Sequence, residues 1–491
     1  MAYDAQVDLH LAGSRSRAAV VGVLWSVFSS LTPGLVSAGV FLATSRALGP
    51  DDFGIVALAS TIIALLGAVA PTGFGQALIQ RANITAAHLD VVFWLGAGLA
   101  ALLYALVCLL ARPLAETMGQ PLLAVLMPVL GLKIVLDLVA IVPNALLVRT
   151  MLFHKLALRT VVASLAGAVV CLAVLFAGYG LWALALAQLV SSAAATLACL
   201  VSAKWLPRVS FRRSALQELS RFGGFATGAN FINSINIDQL LIGSLLGPYA
   251  LGLFGFSRRI FQLLSDVMAG PLNAVSFSLL SSMQDESELR RKAFLIATFL
   301  SASVSFPVFT GVALIAPDLV PFLFGAHWRE AVPVVQAFCA IGLLACIGVL
   351  QGSLINSNGD ADLWLYYLVG RQLATGICIV LLFRFGVAEL SIGLAIQTYL
   401  MWLPSVHMVA RILNMPMLCY LWGFRVPVLA TLAMAVSIQF TSAAWPLTDP
   451  AARIIAAVAV GALVYGSVAW LLAHRQLYAI WDMISKRRSS K

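Results

Sequence analysis

Two neighbouring apolar stretches of the chain contain polar and ionisable side chains at the spacing of a helix. The first includes the run TGANFINSINIDQ, residues 227–239, in which four polar residues fall within about 80° of one another on a helix. These residues are Thr227, Asn230, Ser234 and Asp238. Such a stripe is typical either of a helix that lines a water-filled cavity or of hydrogen bonding between neighbouring helices. A carboxylate at such a position can bind a proton or a sodium ion, so Asp238 is the first candidate for ion coupling.

The second stretch contains adjacent arginines, Arg258 and Arg259, followed by Gln262 and Asp266. A guanidinium group keeps its charge and presents a planar fork that matches two anionic oxygens. Arg258, Arg259 and Gln262 are therefore candidate contacts for a pyrophosphate or an acidic sugar. Asp266 is a second candidate for ion coupling. Alternatively, the arginines form structural ion pairs with Asp238 or Asp266, and one arginine can exchange such a carboxylate for an anionic ligand.

Three more ionisable residues lie inside apolar runs. Arg371 has no acidic residue at helical spacing and is a third candidate for an anion contact. Lys133 and Asp137 are spaced i,i+4 and can neutralise each other on one helix face, which favours a structural pair.

The composition predicts that most of these side chains lie within a membrane. Of the 491 residues, 61% are hydrophobic and 10% are charged, with a mean hydropathy of +0.98, whereas soluble domains carry about 25% charged residues. The net charge of +10 comes largely from clusters beside apolar runs, which favours contact with anionic membrane lipids rather than nucleic acid. The seven cysteines form no CxxC pair or Cys/His cluster, so neither a metal site nor a disulfide framework is expected. No cofactor is expected either.

Apolar runs long enough to cross a bilayer predict fourteen transmembrane helices. They lie near 18–45, 54–79, 91–111, 122–148, 160–177, 180–203, 222–246, 250–280, 293–316, 331–355, 362–383, 388–410, 423–444 and 454–474. With both termini in the cytoplasm, 20 of the 30 Lys and Arg residues fall on the cytoplasmic side and 5 on the outer side. This bias agrees with the positive-inside rule.

A repeated phrase predicts an internal duplication. LGPDDFG begins at Leu48 and LGPYALG begins at Leu246, each between two apolar runs. We therefore predict an all-α polytopic membrane protein with two six-helix bundles related by pseudo-twofold symmetry, as a parallel repeat, plus two C-terminal helices. The predicted division is a cytoplasmic N-terminus (1–17), an N-terminal bundle (18–203), a cytoplasmic linker (204–221), a C-terminal bundle (222–410), two additional helices (423–474) and a basic cytoplasmic tail (475–491).

An ordered series of motifs resembles the bacterial polysaccharide transporters, the lipid-linked oligosaccharide flippases of the multidrug/oligosaccharidyl-lipid/polysaccharide exporter superfamily. The series covers about residues 20–410 and comprises LGPDDFGIVALAS, GFGQALIQR, HL-x-x-x-FWL, IDQLLIGSLLGPYALGLFGFSRR, LSSMQDESELRRKAF, LIAPDLVPFLFGAHWREAVPVVQ and NGDADL. The exopolysaccharide branch, which includes succinoglycan export, is the most similar. The last two predicted helices match only in hydrophobicity.

The resemblance implies translocation of undecaprenyl-pyrophosphate-linked oligosaccharide across the bacterial inner membrane by alternating access, for exopolysaccharide or lipopolysaccharide biosynthesis. It also implies coupling to H⁺ or Na⁺ and cooperation with a polysaccharide polymerase and export machinery. The alternative is a cation-coupled small-molecule antiporter of the multidrug type. An enzyme is not expected, because the chain shows neither a P-loop nor a nucleophile–base arrangement and its predicted outer loops are short.

Overall fold

The computed structural model describes residues 32–489 apart from 211, 235, 282–286, 360 and 446–447. Within that range the backbone alone is described at residues 229, 232–234, 269–281, 287, 361 and 473–489. The predicted N-terminus, the first part of the first span, the side chain of Ser234 and the side chains of the basic tail therefore lie outside the described residues.

Every regular element in the described part of the chain is helical, as predicted. In chain order the α-helices are α1 (32–47), α2 (Pro50–Ala68), α3 (Thr72–Gln80), α4 (Ala86–Thr117), α5 (Leu123–Val139), α6 (Ile141–Arg149), α7 (Phe153–Phe176), α8 (Trp182–Ala203), α9 (Arg213–Ser234), α10 (Ile237–Leu245), α11 (Gly247–Ser281), α12 (Ser287–Phe324), α13 (Val332–Ser357), α14 (Ala361–Leu382), α15 (Val387–Ile412), α16 (Met417–Trp422), α17 (Arg425–Ala444) and α18 (Pro450–Ser489).

Ten helices among the described residues are long and apolar enough to cross a membrane, and eleven if α5 and α6 count as one bent span. Three predicted spans have no counterpart among these eleven: 18–45, 222–246 and 250–280. The first is described only from residue 32 and the second is divided between α9 and α10, while the side chains of the third are described only to residue 268. The chain is a polytopic helical membrane protein, and the count of fourteen stays a prediction.

Three predicted spans are interrupted in the structure. The span near 54–79 divides between α2 and α3 before Pro71, whose ring removes a backbone donor. The span near 122–148 bends by 40° between α5 and α6. The span near 222–246 breaks around Asn236, whose backbone has φ −91° and ψ 73°, outside the helical region. Apolar run length shows where a span lies but not where its helix breaks.

The chain forms two compact units, Met1–Gly252 and Leu253–Lys491, which we call unit 1 and unit 2. Unit 1 contains α9, α10 and the first turn of α11 in addition to the predicted N-terminal bundle. The division into functional bundles at the linker 204–221 stays a prediction.

Loops that are predicted on the cytoplasmic side lie together at one end of unit 1. Arg149, which ends α6, donates hydrogen bonds to the carbonyl oxygens of Leu78 (3.0 Å) and Ala82 (2.5 Å) after α3. The backbone N–H of Arg208, after α8, donates to Asp90 Oδ1 over 3.0 Å. These contacts involve the loops that follow α3, α6 and α8, which the predicted topology places on the same side of the membrane.

In unit 2, too, loops that are predicted on the same side of the membrane contact each other. Asp318 in α12 and Arg453 in α18, which flank predicted outer loops, form an ion pair of 2.6 Å. Arg290 and Asn358, beside predicted cytoplasmic loops, form a hydrogen bond of 3.2 Å.

A fully buried amide, that of Gln351, connects three helices in the core of unit 2. Gln351 Oε1 accepts hydrogen bonds from Trp402 Nε1 and Ser405 Oγ, both over 3.0 Å. Its Nε2 contacts the Tyr420 hydroxyl at 3.3 Å. Because an unpaired amide is costly in an apolar interior, these bonds fix α13, α15 and α16 against one another.

The two copies of the repeated phrase contact each other in unit 1. A Cβ atom at Gly54 in α2 would overlap the carbonyl oxygen of Pro248 in α11, and a Cβ atom at Gly252 would overlap the carbonyl oxygen of Pro50. The contact is reciprocal, since each glycine faces the proline that opens the other helix. The backbones of α2 and α11 meet here without intervening side chains, so each glycine of the repeated phrase permits close packing while each proline lies in the first turn of its helix.

Replacement of either glycine tests this crossing. Gly54→Ala or Gly252→Ala forces the two backbones apart, and we expect a loss of about 1–3 kcal/mol, measured as a lower thermal unfolding temperature of the detergent-solubilised protein. The matched control is Gly255→Ala, one turn further along α11, where a Cβ atom would meet nothing within 4 Å. That control should be neutral or slightly stabilising. Equal unfolding temperatures for all three variants would contradict the crossing.

Candidate functional site

The polar stripe predicted near 227–239 is divided by the break between α9 and α10. Thr227 and Asn230 lie on α9, whereas Asp238 lies in the first turn of α10 and is half-buried. Asp238 Oδ1 accepts a hydrogen bond from the backbone N–H of Gln239 over 2.9 Å. The expectation of one continuous helical face is therefore wrong, because Asn236 leaves the helical conformation between the two segments.

The two stripe residues on α9 make hydrogen bonds to α3. The backbone N–H of Gly73 donates to Thr227 Oγ1 over 3.2 Å, and Asn230 Nδ2 donates to Thr72 Oγ1 over 3.1 Å. A Cβ atom at Gly73 would overlap the backbone of α9, so the two helices are in direct backbone contact. These bonds correspond to the interhelical role that the sequence left open, while cavity lining stays a prediction.

A set of polar contacts that sequence reasoning missed connects α2 to α8 and α10. Ser60 Oγ donates to Gln188 Oε1 over 3.3 Å, and the neighbouring Thr61 Oγ1 donates to Gln239 Oε1 over 3.2 Å. All four side chains are polar and lie within or beside apolar runs, so the sequence did mark them as unusual. A lone serine or glutamine has no partner at helical spacing, however, so its contact could not be derived from the sequence.

Lys133 and Asp137 form the predicted pair on α5. Lys133 Nζ lies 2.5 Å from Asp137 Oδ2, and the other carboxylate oxygen accepts a hydrogen bond from Ser192 Oγ on α8 over 2.6 Å. The serine was not predicted. Ser192 connects the ion pair to the face of α8 on which Gln188 lies one helical turn away.

The arginine pair lies on α11, which is unbroken from Gly247 to Ser281. Arg258, Arg259 and Gln262 are half-buried, and Asp266 is exposed. In a continuous helix the spacing of Arg259, Gln262 and Asp266 places them on one face. A half-buried guanidinium keeps its charge, which makes this face suitable for an anion.

Arg371 lies on α14 and is exposed. Its carbonyl oxygen accepts a hydrogen bond from Thr375 Oγ1 over 3.0 Å. Large apolar residues around it on the same helix are also exposed, including Tyr366 (72%) and Leu373 (60%). Its anion contact stays a prediction.

The candidate residues thus fall into two groups. Unit 1 holds Thr227, Asn230, Asp238 and the Lys133–Asp137 pair, while unit 2 holds Arg258, Arg259, Gln262, Asp266 and Arg371. No three His, Cys, Asp or Glu side chains within the described residues could together hold a metal ion.

A polar cluster at the end of unit 1 where the predicted cytoplasmic loops lie was also missed; it is formed by Arg81, Thr85, His88 and Glu218. His88 Nδ1 accepts the backbone N–H of Thr85 over 3.1 Å, which leaves the ring proton on Nε2, 3.2 Å from Glu218 Oε2. Arg81 forms an ion pair with the same carboxylate. The hydrogen bond from His88, followed by the charge of Arg81, lowers the pKa of Glu218.

The sequence of the chain matches a known protein family. The family described as Polysaccharide biosynthesis protein matches residues 43–333, more than half of the chain. The chain belongs to this family. The resemblance identified from the motifs is therefore confirmed, and the chain is a multi-pass membrane protein of the polysaccharide biosynthesis family.

Several relatives of the chain are similar over most of their length. The succinoglycan biosynthesis transport protein ExoT of Rhizobium meliloti (strain 1021) is 27% identical over 94% of this chain and 95% of its own length. The lipopolysaccharide biosynthesis protein WzxC of Escherichia coli (strain K12) is 26% identical, with coverage of 70% and 71%. The teichuronic acid biosynthesis protein TuaB of Bacillus subtilis (strain 168) is 24% identical, with coverage of 80% and 83%.

Two solved structures share the fold. The lipid II flippase MurJ in an inward closed conformation matches with a TM-score of 0.76 and 11% identity, covering 93% of this chain and all (100%) of that chain. An inward-facing multidrug resistance transporter of the MATE family matches with a TM-score of 0.59 and 17% identity, covering 78% and 94%. These likenesses describe the fold of the chain.

The cluster around Glu218 should make stability depend on pH. The lowered pKa of Glu218 means that its contribution is complete above the ordinary pKa of a glutamate and is lost as pH falls through the lowered value. We expect the thermal unfolding temperature of the wild type to fall more steeply on acidification than that of Glu218→Gln. Glu116→Gln, at an exposed position near the end of α4, is the control. Parallel pH profiles for the wild type and Glu218→Gln would contradict the assignment.

Proposed function

We propose that this protein translocates polyprenyl-pyrophosphate-linked oligosaccharide units across the bacterial inner membrane for exopolysaccharide or lipopolysaccharide biosynthesis. The observation that carries the proposal is the similarity over 94% of the chain to a succinoglycan biosynthesis transport protein. The fold shared with a lipid II flippase supports it, since that protein also acts on a lipid-linked substrate. The similarity to a transport protein of this family favours transport of a glycan over catalysis.

Alternating access is the mechanism we infer. A cavity opens first to the cytoplasm and admits the pyrophosphate and sugars, while the polyprenyl tail remains in the bilayer. Arg258 and Arg259 bind the phosphate oxygens, and Gln262 contacts sugar hydroxyls. Opening to the outer side then releases the glycan to a polymerase and the export machinery. Both termini lie in the cytoplasm, where the basic loops face anionic lipid.

Energy for the cycle comes from a gradient of H⁺ or Na⁺ in this proposal. Asp238 is the first candidate for the coupling carboxylate, because it lies at the break between α9 and α10 within a predicted span. Helix breaks inside a span place polar backbone groups beside a cavity in many transporters. Asp266, exposed on α11, is the second candidate.

A cation-coupled small-molecule antiporter is the second candidate function. The likeness to a multidrug transporter supports it at the level of the fold. It covers 78% of this chain, compared with 93% for the lipid II flippase.

Deletion of the gene in its host tests the proposed function. We expect polyprenyl-linked repeat units to accumulate on the cytoplasmic leaflet while surface polysaccharide disappears. Complementation with the wild type should restore both pools, and Arg259→Ala should reduce surface polysaccharide about tenfold or more, because a charged hydrogen bond contributes about 1.5–3 kcal/mol. The matched control is Arg112→Ala, an exposed arginine in a predicted outer loop, which should complement fully.

Two results would contradict this proposal. If repeat units reach the outer leaflet but stay unpolymerised in the deletion strain, translocation is not the missing step. If neither pool changes and sensitivity to cationic drugs rises instead, the small-molecule antiporter is the better account.

A further inference from the structure

The Lys133–Asp137 pair lies within the membrane span that α5 and α6 form together. Its side chains are not enclosed by the protein, since that of Lys133 is 41% exposed and that of Asp137 is 51% exposed. An ion pair with this exposure is unfavourable against hydrocarbon. The exposed part of the pair is therefore expected to face water.

The surroundings of the pair separate a polar side of α5 from an apolar one. On the polar side, Ser192 of α8 donates to Asp137, and Gln188, one turn away, accepts a hydrogen bond from Ser60. On the apolar side, Val125 and Leu132 are 54% and 39% exposed, as expected of residues in contact with lipid. Leu132 precedes Lys133 by one residue, which turns it away by about 100° on the helix.

Lys133 has N–H groups to spare for another anion, whereas both oxygens of the Asp137 carboxylate already accept hydrogen bonds. Lys133 Nζ has three N–H groups, and Asp137 is its one hydrogen-bond acceptor among the described residues. Asp137 has a second partner in Ser192, at 2.6 Å. If Lys133 turns to another anion, Asp137 therefore keeps one short hydrogen bond and water access, which lowers the cost of the exchange.

We propose that the Lys133–Asp137–Ser192 cluster is an anion-binding site for the phosphate groups of the lipid-linked substrate. Lys133 exchanges the Asp137 carboxylate for a phosphate oxygen, and Ser192 holds the released carboxylate in place. A compact ammonium charge suits phosphate, and the same charge disfavours a cation at this carboxylate. The identity of the ligand rests on the proposed function, whereas the site itself rests on the exposure and the hydrogen bonds of the pair.

Binding to the full-length protein in detergent tests the site, with undecaprenyl pyrophosphate, undecaprenol and phosphatidylglycerol as probes. We expect the wild type to bind the pyrophosphate more tightly than either of the others. The double variant Lys133→Gln/Asp137→Asn leaves no unpaired charge, so it should fold with the thermal stability of the wild type. It should nevertheless bind the pyrophosphate about tenfold more weakly, which is the size of one lost charged hydrogen bond.

Single variants separate this site from a purely structural pair. Asp137→Asn removes the competing carboxylate and should tighten binding of the pyrophosphate, whereas Lys133→Gln should weaken it. The matched control is Lys155→Gln, which removes a lysine whose Nζ donates to the carbonyl oxygen of Ser202 at the cytoplasmic end of unit 1. That control should leave binding unchanged.

Three outcomes would overturn the proposal. Wild-type affinity in the double variant would mean that the pair has only a structural role. Equal affinity for phosphatidylglycerol and the pyrophosphate would assign the cluster to bulk anionic lipid. Full complementation of the deletion strain by the double variant would also refute the site, whereas unchanged pools of repeat units and surface polysaccharide in the deletion strain would refute the proposed function instead.

Discussion

The absence of water in the hydrocarbon core of a membrane is the constraint on which this structure depends. Every backbone N–H and C=O group that crosses the core needs a partner within the protein, and the helix supplies it locally. The same constraint moves charge to the helix ends, where the Arg149 guanidinium and the Asp90 carboxylate make their contacts with neighbouring loops. It also makes each charge that remains inside a span informative, because such a charge must have a partner, water or a ligand.

Close backbone contact is the second principle of the fold, since lipid offers helices no hydrophobic drive to associate. Gly54 and Gly252 let α2 and α11 meet through their backbones, and Gly73 does the same for α3 and α9. Both contacts hold helices of unit 1 that carry polar candidates: α9 bears Thr227 and Asn230, and α2 bears Ser60 and Thr61. Close backbone packing and interhelical hydrogen bonds therefore involve the same helices.

Local patterns in the sequence predicted much of the fold and part of the candidate site. Apolar run length predicted an all-helical membrane protein, and the i,i+4 spacing of Lys133 and Asp137 predicted their contact. The break at Asn236 was missed, because the polar residues on either side of it keep the spacing of one continuous helix. Ser192 and Gln188 were missed for a different reason: their partners lie 55 and 128 residues away, and only tertiary packing selects them.

Translocation of a lipid-linked glycan is tested most directly by reconstitution of the purified protein. Proteoliposomes would contain a fluorescent polyprenyl-pyrophosphate oligosaccharide in both leaflets, and a membrane-impermeant quencher would report the fraction on the outer side over time. We expect the inner pool to become accessible to the quencher much faster in proteoliposomes than in protein-free vesicles, whereas an undecaprenol-linked dye should be unaffected. A rate equal to that of protein-free vesicles under imposed H⁺ and Na⁺ gradients, with efflux of a cationic drug from the same vesicles, would contradict it.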